Sequence, residues 1–416
     1  MSDFFERGVV VTLVPGTWAG KAAWTEPNSP LRDRLAAQLG QDVVFVPFKW
    51  SGRNSHKARL AAARSLEGRI LDVRSQYPAH CHIVVAHSHG GNIALYALRN
   101  PEVAASISGL VTLATPFIYA TPRHVERALQ ILMAALNLGT FLSAMIVIFG
   151  TLLVFLRPFP ELLPTFHGGS AIIAALVFFA GGLWLNSYIW RLSSQLVAVI
   201  RESLLTWAAD KQLRVVNQLS VAACETVPVL SIGFSFDEAG FVLRLTRVLA
   251  ETAPRLAQFF SAATVWLFTV GSWLLLLGVV ISILRFVGWS LLPHYEIVWS
   301  LTLLAFILSL QGFVFFEIAS AVLPLVARSV GFGPESPLSA MLVRLSATDE
   351  LLGRNVEQKR YSLKDAYAAR REDTAARSFL FPSLVHSLAY AYPVALRELG
   401  EWITYVRRTA SPPIVD

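Results

Sequence analysis

Short runs of apolar, β-branched residues alternate with helical patterns through the first part of the chain and recur near its end. The strand-like runs are residues 8–14, 42–48, 81–86, 108–114 and 226–234. The amphipathic helical patterns are residues 29–40, 56–74 and 91–99. Such alternation predicts a mostly parallel sheet covered by helices on both faces, which is an α/β fold. Two later runs, residues 341–347 and 356–363, predict a β-hairpin.

Four long apolar stretches without any charged residue interrupt this pattern. They are residues 128–156, 170–190, 256–284 and 297–316. Each is near or above the ~20 residues that span ~30 Å of hydrocarbon, and a soluble core helix of that length would normally show a polar face. The stretches come in pairs joined by short loops, so we expect two transmembrane hairpins, at residues 126–191 and 259–328. Residues 1–125, 192–258 and 329–416 would then form one α/β domain on a single side of the bilayer.

Composition and charge favour the membrane interpretation and indicate its orientation. The chain is 54% hydrophobic, its mean hydropathy is +0.53, and its formal net charge is +7. Most of the basic residues lie beside the apolar stretches rather than in a cluster, which argues against nucleic acid as a partner. Those at the α/β-domain ends are Arg123, Arg127, Arg191, Arg201, Arg247, Arg255 and Arg328. The two hairpin loops contain only Arg157 and Arg285, so the positive-inside rule predicts a cytoplasmic α/β domain with both termini cytoplasmic.

The sequence Ala86-His87-Ser88-His89-Gly90 connects the third strand-like run to a helix. A serine on a sharp strand-to-helix turn presents its Oγ above the sheet, and the neighbours two positions away must be small. Ala86 and Gly90 satisfy this requirement. Ser88 is therefore the predicted nucleophile, and the alternative is an ordinary turn between a strand and a helix.

Three stretches together, VPGTWAG, VVAHSHGG and VTLATPF, resemble the lipase/esterase branch of the α/β-hydrolase superfamily. The resemblance covers about residues 1–125, 213–258 and 335–416, and it implies an α/β-hydrolase fold interrupted by the two hairpins. The first hairpin would occupy the position where many of these enzymes insert a cap. The resemblance also implies that the backbone N–H groups of Thr17 and His89 form the oxyanion hole.

The acid and the base of such an enzyme follow the serine in that order. Asp237 comes directly after the fifth strand-like run, and the D-E-A sequence resembles the acid loop of the same group, which favours Asp237 over Glu238. Asp349 is the second candidate. His386 precedes an aromatic-rich amphipathic helix, which resembles the terminal histidine loop and closing helix of α/β-hydrolases.

The other histidines fit the role of the base less well. His167 and His294 lie in the two hairpin loops, on the far side of the predicted membrane. His87 and His89 flank Ser88 directly, and adjacent side chains do not easily reach the Oγ of a serine in an elbow.

These residues predict a membrane-integral serine hydrolase that cleaves a carboxylic ester or thioester of a lipid or lipidated substrate. Trp18, Trp50 and Phe117 are candidates for the substrate entrance, although the segment with Trp50 could equally be a structural turn. No cofactor or metal is expected, because Cys81 and Cys224 lack the spacing of metal ligands. The alternative function is a non-catalytic membrane scaffold with the same fold. The oligomeric state stays open.

Overall fold

The computed structural model describes two compact units. The described residues are 7–18, 22–40, 42–123, 168–221, 225–235, 237, 240–246, 342–362 and 385–409, with scattered positions between 248 and 333. One unit comprises Met1–Ala120, Leu219–Pro337 and Leu345–Asp416, and the other comprises Thr121–Gln218 and Leu338–Arg344.

Strands and helices alternate as the sequence predicts. The strands are β1 (Val9–Val14), β2 (Val43–Pro47), β3 (Cys81–His87), β4 (Gly109–Leu113), β5 (Phe117–Pro122), β6 (Val229–Phe234), β7 (Val343–Thr348) and β8 (Val356–Tyr361). The helices with defined bounds are α1 (Pro30–Leu39), α2 (His56–Gln76), α3 (His89–Ala97), α4 (Pro101–Ala105), α5 (Gly168–Leu219) and α6 (Pro393–Thr409). Short 3-10 helices occupy Ala23–Thr25 and Val385–Tyr390. The five predicted strand-like runs thus correspond to β1 to β4 and β6, and the three helical patterns correspond to α1 to α3, within three residues at each end.

A six-stranded parallel sheet forms the centre of the first unit, with strand order β2-β1-β3-β4-β6-β8. Strands β1, β3 and β4 are buried along their whole length, as expected for a parallel sheet with both faces covered. On one face, Val11 of β1 packs in a cluster with residues of α1 and α6, whereas on the other Val84 of β3 packs with residues of α2 and α3. This mostly parallel sheet with helices on both faces is compatible with an α/β-hydrolase fold.

The strand order reverses direction between β1 and β3. The chain runs from β1 outwards to β2 and then returns to β3 on the other side of β1. Val14 at the end of β1 is in register with Ala86 near the end of β3, so the two following loops leave the sheet side by side. Such a switch point at the carboxyl ends of parallel strands is where open α/β sheets bind their ligands.

The predicted β-hairpin near the end of the chain is wrong. β7 forms a two-stranded sheet with β5, and β8 pairs in parallel with β6 from Val229↔Val356 to Phe234↔Tyr361. β8 supplies partners for backbone groups of β6 that would otherwise form an open sheet edge. Two neighbouring strand patterns resemble a hairpin in sequence, but this pairing with distant strands decides their positions.

The uncharged stretches are described only in part. Residues 128–156 and 256–284 lie outside the described residues, and residues 297–316 are described at scattered positions. Residues 170–190 belong to α5, which continues without a break past the predicted domain boundary at residue 191. In the part of the chain that the structure describes, no helix combines the length and the apolar character that crossing a membrane requires. The two transmembrane hairpins therefore find no support there and stay a prediction.

The second unit contains most of α5. Gln212 of this helix donates hydrogen bonds from Nε2 to the carbonyl oxygens of Arg123, at 2.6 Å, and Leu342, at 2.9 Å. One amide thus joins the two separate chain segments that belong to this unit.

Candidate active site

Ser88 occupies a strained turn between β3 and α3. Its backbone angles are φ 55° and ψ −135°, a region that residues other than glycine seldom adopt. Its N–H donates to the carbonyl of Leu113 at 2.8 Å, and its carbonyl accepts from the N–H of Gly91 at 3.0 Å. These bonds hold the serine in the sharp strand-to-helix turn that the sequence predicts. The side chain is buried, with 7% of the residue surface exposed.

Two glycines allow the turn to pack tightly against the loop after β1. A Cβ at Gly90 would lie 2.4 Å from the carbonyl oxygen of Val14, and a Cβ at Gly16 would lie 2.6 Å from Cβ of Ser88. Real Cβ atoms do not approach other atoms so closely, so each position requires glycine for a close approach. The loop after β1 therefore lies directly beside the serine.

His386 and Asp237 form a close pair. The distance from His386 Nδ1 to Asp237 Oδ2 is 2.6 Å, and the two side chains are 15% and 13% exposed. Asp237 follows the carboxyl end of β6, and His386 lies in the 3-10 helix Val385–Tyr390. A carboxylate only accepts, so Nδ1 of His386 donates in this contact and Nε2 is the ring nitrogen that does not face Asp237.

His87 connects the histidine loop to the elbow. Its Nε2 lies 3.2 Å from the carbonyl oxygen of His386, and the two ring centroids are 4.8 Å apart. Because a carbonyl oxygen only accepts, His87 carries its proton on Nε2. Burial, followed by the repulsion of His386, lowers the pKa of His87 to about 3, so this residue is neutral near pH 7. The residue before Ser88 thus holds the predicted base beside the turn.

Aromatic rings enclose His87 on its other sides. Tyr390 makes an edge contact with it at 5.0 Å between ring centroids, and Trp24 stacks on Tyr390 at 5.7 Å. Sequence reasoning missed both aromatics. Tyr390 could have been found from the sequence, because it lies four residues after His386 in a segment that leads into a helix. Nothing in the sequence connects Trp24 to the site.

The two residues predicted to supply the oxyanion hole directly follow Ser88 and Gly16 in the chain. His89 is the first residue of α3, where backbone N–H groups have no intrahelical acceptor. Its ring is buried, and burial lowers its pKa well below the usual value. Thr17 lies in the turn after β1, directly after Gly16. Thr17 and His89 thus belong to two segments that meet at Ser88, because Gly16 lies against the side chain of Ser88.

The three candidates for a substrate entrance have different environments. Trp18 is 80% exposed, as an entrance residue would be. Trp50 instead donates its indole N–H to the carbonyl oxygen of Pro15 at 2.8 Å. Phe117 is completely buried in the core cluster beside α3, so it does not line an open entrance. Phe117 is the first residue of strand β5, and its ring points into the core. The sequence VTLATPF did not indicate this burial.

Asp349, the second candidate acid, lies beside a basic side chain. Asp349 lies 4.0 Å from Arg244, and the side chains of this pair are 36% and 51% exposed. Glu238, His167 and His294 lie outside the described residues.

The comparisons with known proteins found similarity only among solved structures. A cutinase-like protein from Cryptococcus sp. is 16% identical, with 26% of this chain and 54% of that chain covered and a TM-score of 0.21. A lipase from Bacillus licheniformis is 21% identical over 27% and 42% of the two chains, with a TM-score of 0.22. A highly thermostable carboxyl esterase from Bacillus coagulans, in complex with glycerol, is 14% identical over 33% and 44%, with a TM-score of 0.21.

This chain therefore spans about half, or less, of the length of each of these structures. All three carry lipase, esterase or cutinase-like descriptions, but TM-scores this low bear no weight for fold or function. No family model and no curated protein matches the chain.

Proposed function

We propose that this protein is a serine hydrolase of the lipase/esterase type, in which Ser88 is the nucleophile, His386 the general base and Asp237 the orienting acid. The observation that carries the proposal is the 2.6 Å contact between His386 and Asp237, since a hydrogen bond from His87 keeps this histidine beside the elbow of Ser88. A scaffold without catalytic activity would have no need of a strained serine beside an oriented histidine.

In the proposed reaction, Ser88 Oγ attacks the acyl carbonyl carbon while His386 Nε2 takes the hydroxyl proton. The N–H groups of Thr17 and His89 stabilise the oxyanion. When the intermediate collapses, the bond to the leaving oxygen or sulfur breaks and His386 returns the proton to the leaving group. Water then repeats the sequence on the acyl-enzyme and releases the acid. The carboxylate of Asp237 stabilises the imidazolium in both steps.

We also propose a lipid or an acyl ester or thioester at a membrane as the substrate. Exposed apolar side chains in the segments that carry Thr17 and Asp237 support this choice. Trp18 follows the oxyanion loop, and four exposed apolar residues follow Asp237 in the chain. These residues are Phe241, Val242, Leu245 and Val248, which are 44% to 60% exposed. Exposed apolar side chains in the segments that carry a hydrolytic site suit a substrate that enters from a lipid phase.

The proposal includes integration into a membrane, with the hydrolase segments and both termini on the cytoplasmic side. The four uncharged stretches and the excess of arginine at their hydrolase-side ends are the supporting observations. The partners would be the bilayer and the acyl substrate.

Ser88→Ala tests the catalytic proposal. Purified wild type and variant, both checked for the same unfolding temperature, would be assayed on 4-nitrophenyl esters of short and long acyl chains and on an acyl thioester. Loss of a triad nucleophile typically reduces kcat by on the order of 10⁶, so the variant should show no hydrolysis above background. Activity of the variant within tenfold of wild type would exclude Ser88 as the nucleophile, and hydrolysis by neither protein would favour the scaffold.

A further inference from the structure

Residues 50 and 52 hold the backbone on both sides of Thr17. The indole N–H of Trp50 donates to the carbonyl oxygen of Pro15 at 2.8 Å. Two residues further along, the carbonyl oxygen of Gly52 accepts from the N–H of Trp18, also at 2.8 Å. The first bond fixes the peptide between Pro15 and Gly16, and the second fixes the peptide between Thr17 and Trp18. Between them lies one further peptide, and its N–H is that of Thr17.

The two bonds hold the neighbours of this middle peptide. A peptide unit is planar with its C=O and N–H pointing in opposite directions, so the middle peptide turns only about its bonds to the Cα atoms of Gly16 and Thr17, and the peptides beyond these two atoms are both held by hydrogen bonds. Trp18 has φ 59°, a left-handed conformation that a bulky residue adopts only when its surroundings impose it. Its hydrogen bond to Gly52 is such a constraint.

The middle peptide also lies against the nucleophile. A Cβ on Gly16 would be 2.6 Å from Cβ and 3.1 Å from Oγ of Ser88. A rotation of the backbone at this point would therefore change what faces the oxygen of the serine. An oxyanion hole is effective only when its donors already point at the place where the charge develops.

We propose that Trp50 is a positioning residue for the oxyanion hole, acting through the carbonyl of Pro15 to hold the N–H of Thr17 towards the reacting carbonyl. This inference rests on the proposed function of Ser88. It assigns a role to the half-buried indole, whose ring packs against the core cluster beside α2 and α3 while its N–H reaches the loop after β1. Trp50 does not touch the substrate in this role.

The test is Trp50→Phe, which keeps an aromatic ring and removes the indole N–H. Trp402→Phe is the matched control, because Trp402 is a buried tryptophan of α6 that packs against Gly109 at the start of β4, away from the carboxyl ends of the strands. For each protein, kcat and KM would be measured on a soluble ester, together with the affinity for a trifluoromethyl ketone that mimics the tetrahedral intermediate.

Deleting an oxyanion donor costs about 10²–10³ in kcat, and a misdirected donor should cost less. We expect Trp50→Phe to reduce kcat by about 10- to 100-fold, with KM within about twofold of wild type. Affinity for the ketone should fall by the same factor as kcat/KM, because both depend on the tetrahedral geometry. Trp402→Phe should change the unfolding temperature alone.

The inference is overturned if folded Trp50→Phe keeps kcat and ketone affinity within twofold of wild type. If this variant does not fold, 3-benzothienylalanine at position 50 decides, because this isostere of tryptophan keeps the size of the ring and replaces only the indole N–H, by sulfur. Unchanged ketone affinity in that variant would equally overturn the inference. If instead Ser88→Ala matches wild type on the ester, the proposed function itself has failed.

Discussion

Replacing Asp237 with asparagine removes the negative charge from its contact with His386 while hardly changing the size of the side chain. The contact is short, at 2.6 Å, and both side chains are at least 85% shielded from solvent. If the asparagine NH₂ faces Nδ1, it stabilises the tautomer with the proton on Nε2, which cannot accept the proton of Ser88. In a protease triad this change costs about 10⁴ in kcat. Because the geometry here is similarly close and shielded, we expect a loss of about 10³–10⁴, or roughly 4–5 kcal/mol of transition-state stabilisation.

Asp349→Asn is the matched control, since Asp349 was the other candidate acid. It lies 4.0 Å from Arg244, with both side chains more than a third exposed. Exposed ion pairs contribute at most about 1 kcal/mol to stability, and this one does not involve His386. We therefore expect its kcat to stay within about twofold of wild type.

Steady-state hydrolysis of a soluble ester at pH 8 would provide both kcat values, with circular dichroism to establish that each variant is folded. A folded Asp237→Asn enzyme with more than a tenth of the wild-type kcat would refute the reasoning. A greater loss for Asp349→Asn than for Asp237→Asn would move the acid to the other site.

Two further predictions concern stability and topology. Burial, as the largest cause, lowers the pKa of His82 to about 4 and of His87 to about 3, and that of His89 lies well below its usual value. In the unfolded chain these three histidines become protonated below pH ~6.5, whereas in the folded chain they stay neutral down to a lower pH. The free energy of unfolding should therefore fall between pH 6.5 and 5, by up to about 1.4 kcal/mol per pH unit for each histidine. Urea unfolding checks this, and equal stability at both pH values would contradict it. The topology can be tested by cysteine labelling in a variant that lacks the two native cysteines. Thr165→Cys should react with a membrane-impermeant thiol reagent outside intact cells, and Ser411→Cys should react only after permeabilisation. Labelling of Ser411→Cys in intact cells would invert the proposed orientation.

The parallel sheet could be predicted from the sequence because its central strands are continuous apolar runs separated by helical periodicity. Ser88 was recognisable for a related reason, since a turn between a clear strand and a clear helix demands small residues at fixed positions. Asp237 and His386 could be proposed from chain order and family resemblance, and the structure brings the two side chains together.

The features that the sequence could not predict depend on contacts between distant segments. β8 pairs with β6 rather than with β7, its neighbour in the chain, and the residue pattern of β8 is compatible with either partner. His87 contacts His386 across 299 residues of sequence. The sequence made Trp50 a candidate for the substrate entrance. Its hydrogen bond to the carbonyl oxygen of Pro15 could not be predicted, because it depends on the folded chain bringing two separate loops together.

The most direct test of the central claim is covalent capture of the nucleophile. The purified protein would be treated with a fluorophosphonate, which reacts with activated serines, and digested for peptide mass spectrometry. The account predicts one adduct, on Ser88 in the peptide that contains IVVAHSHGGNIAL, and its absence both after heat denaturation and in Ser88→Ala. A folded protein that remains unmodified at Ser88, or that carries the adduct on another serine, would contradict the account.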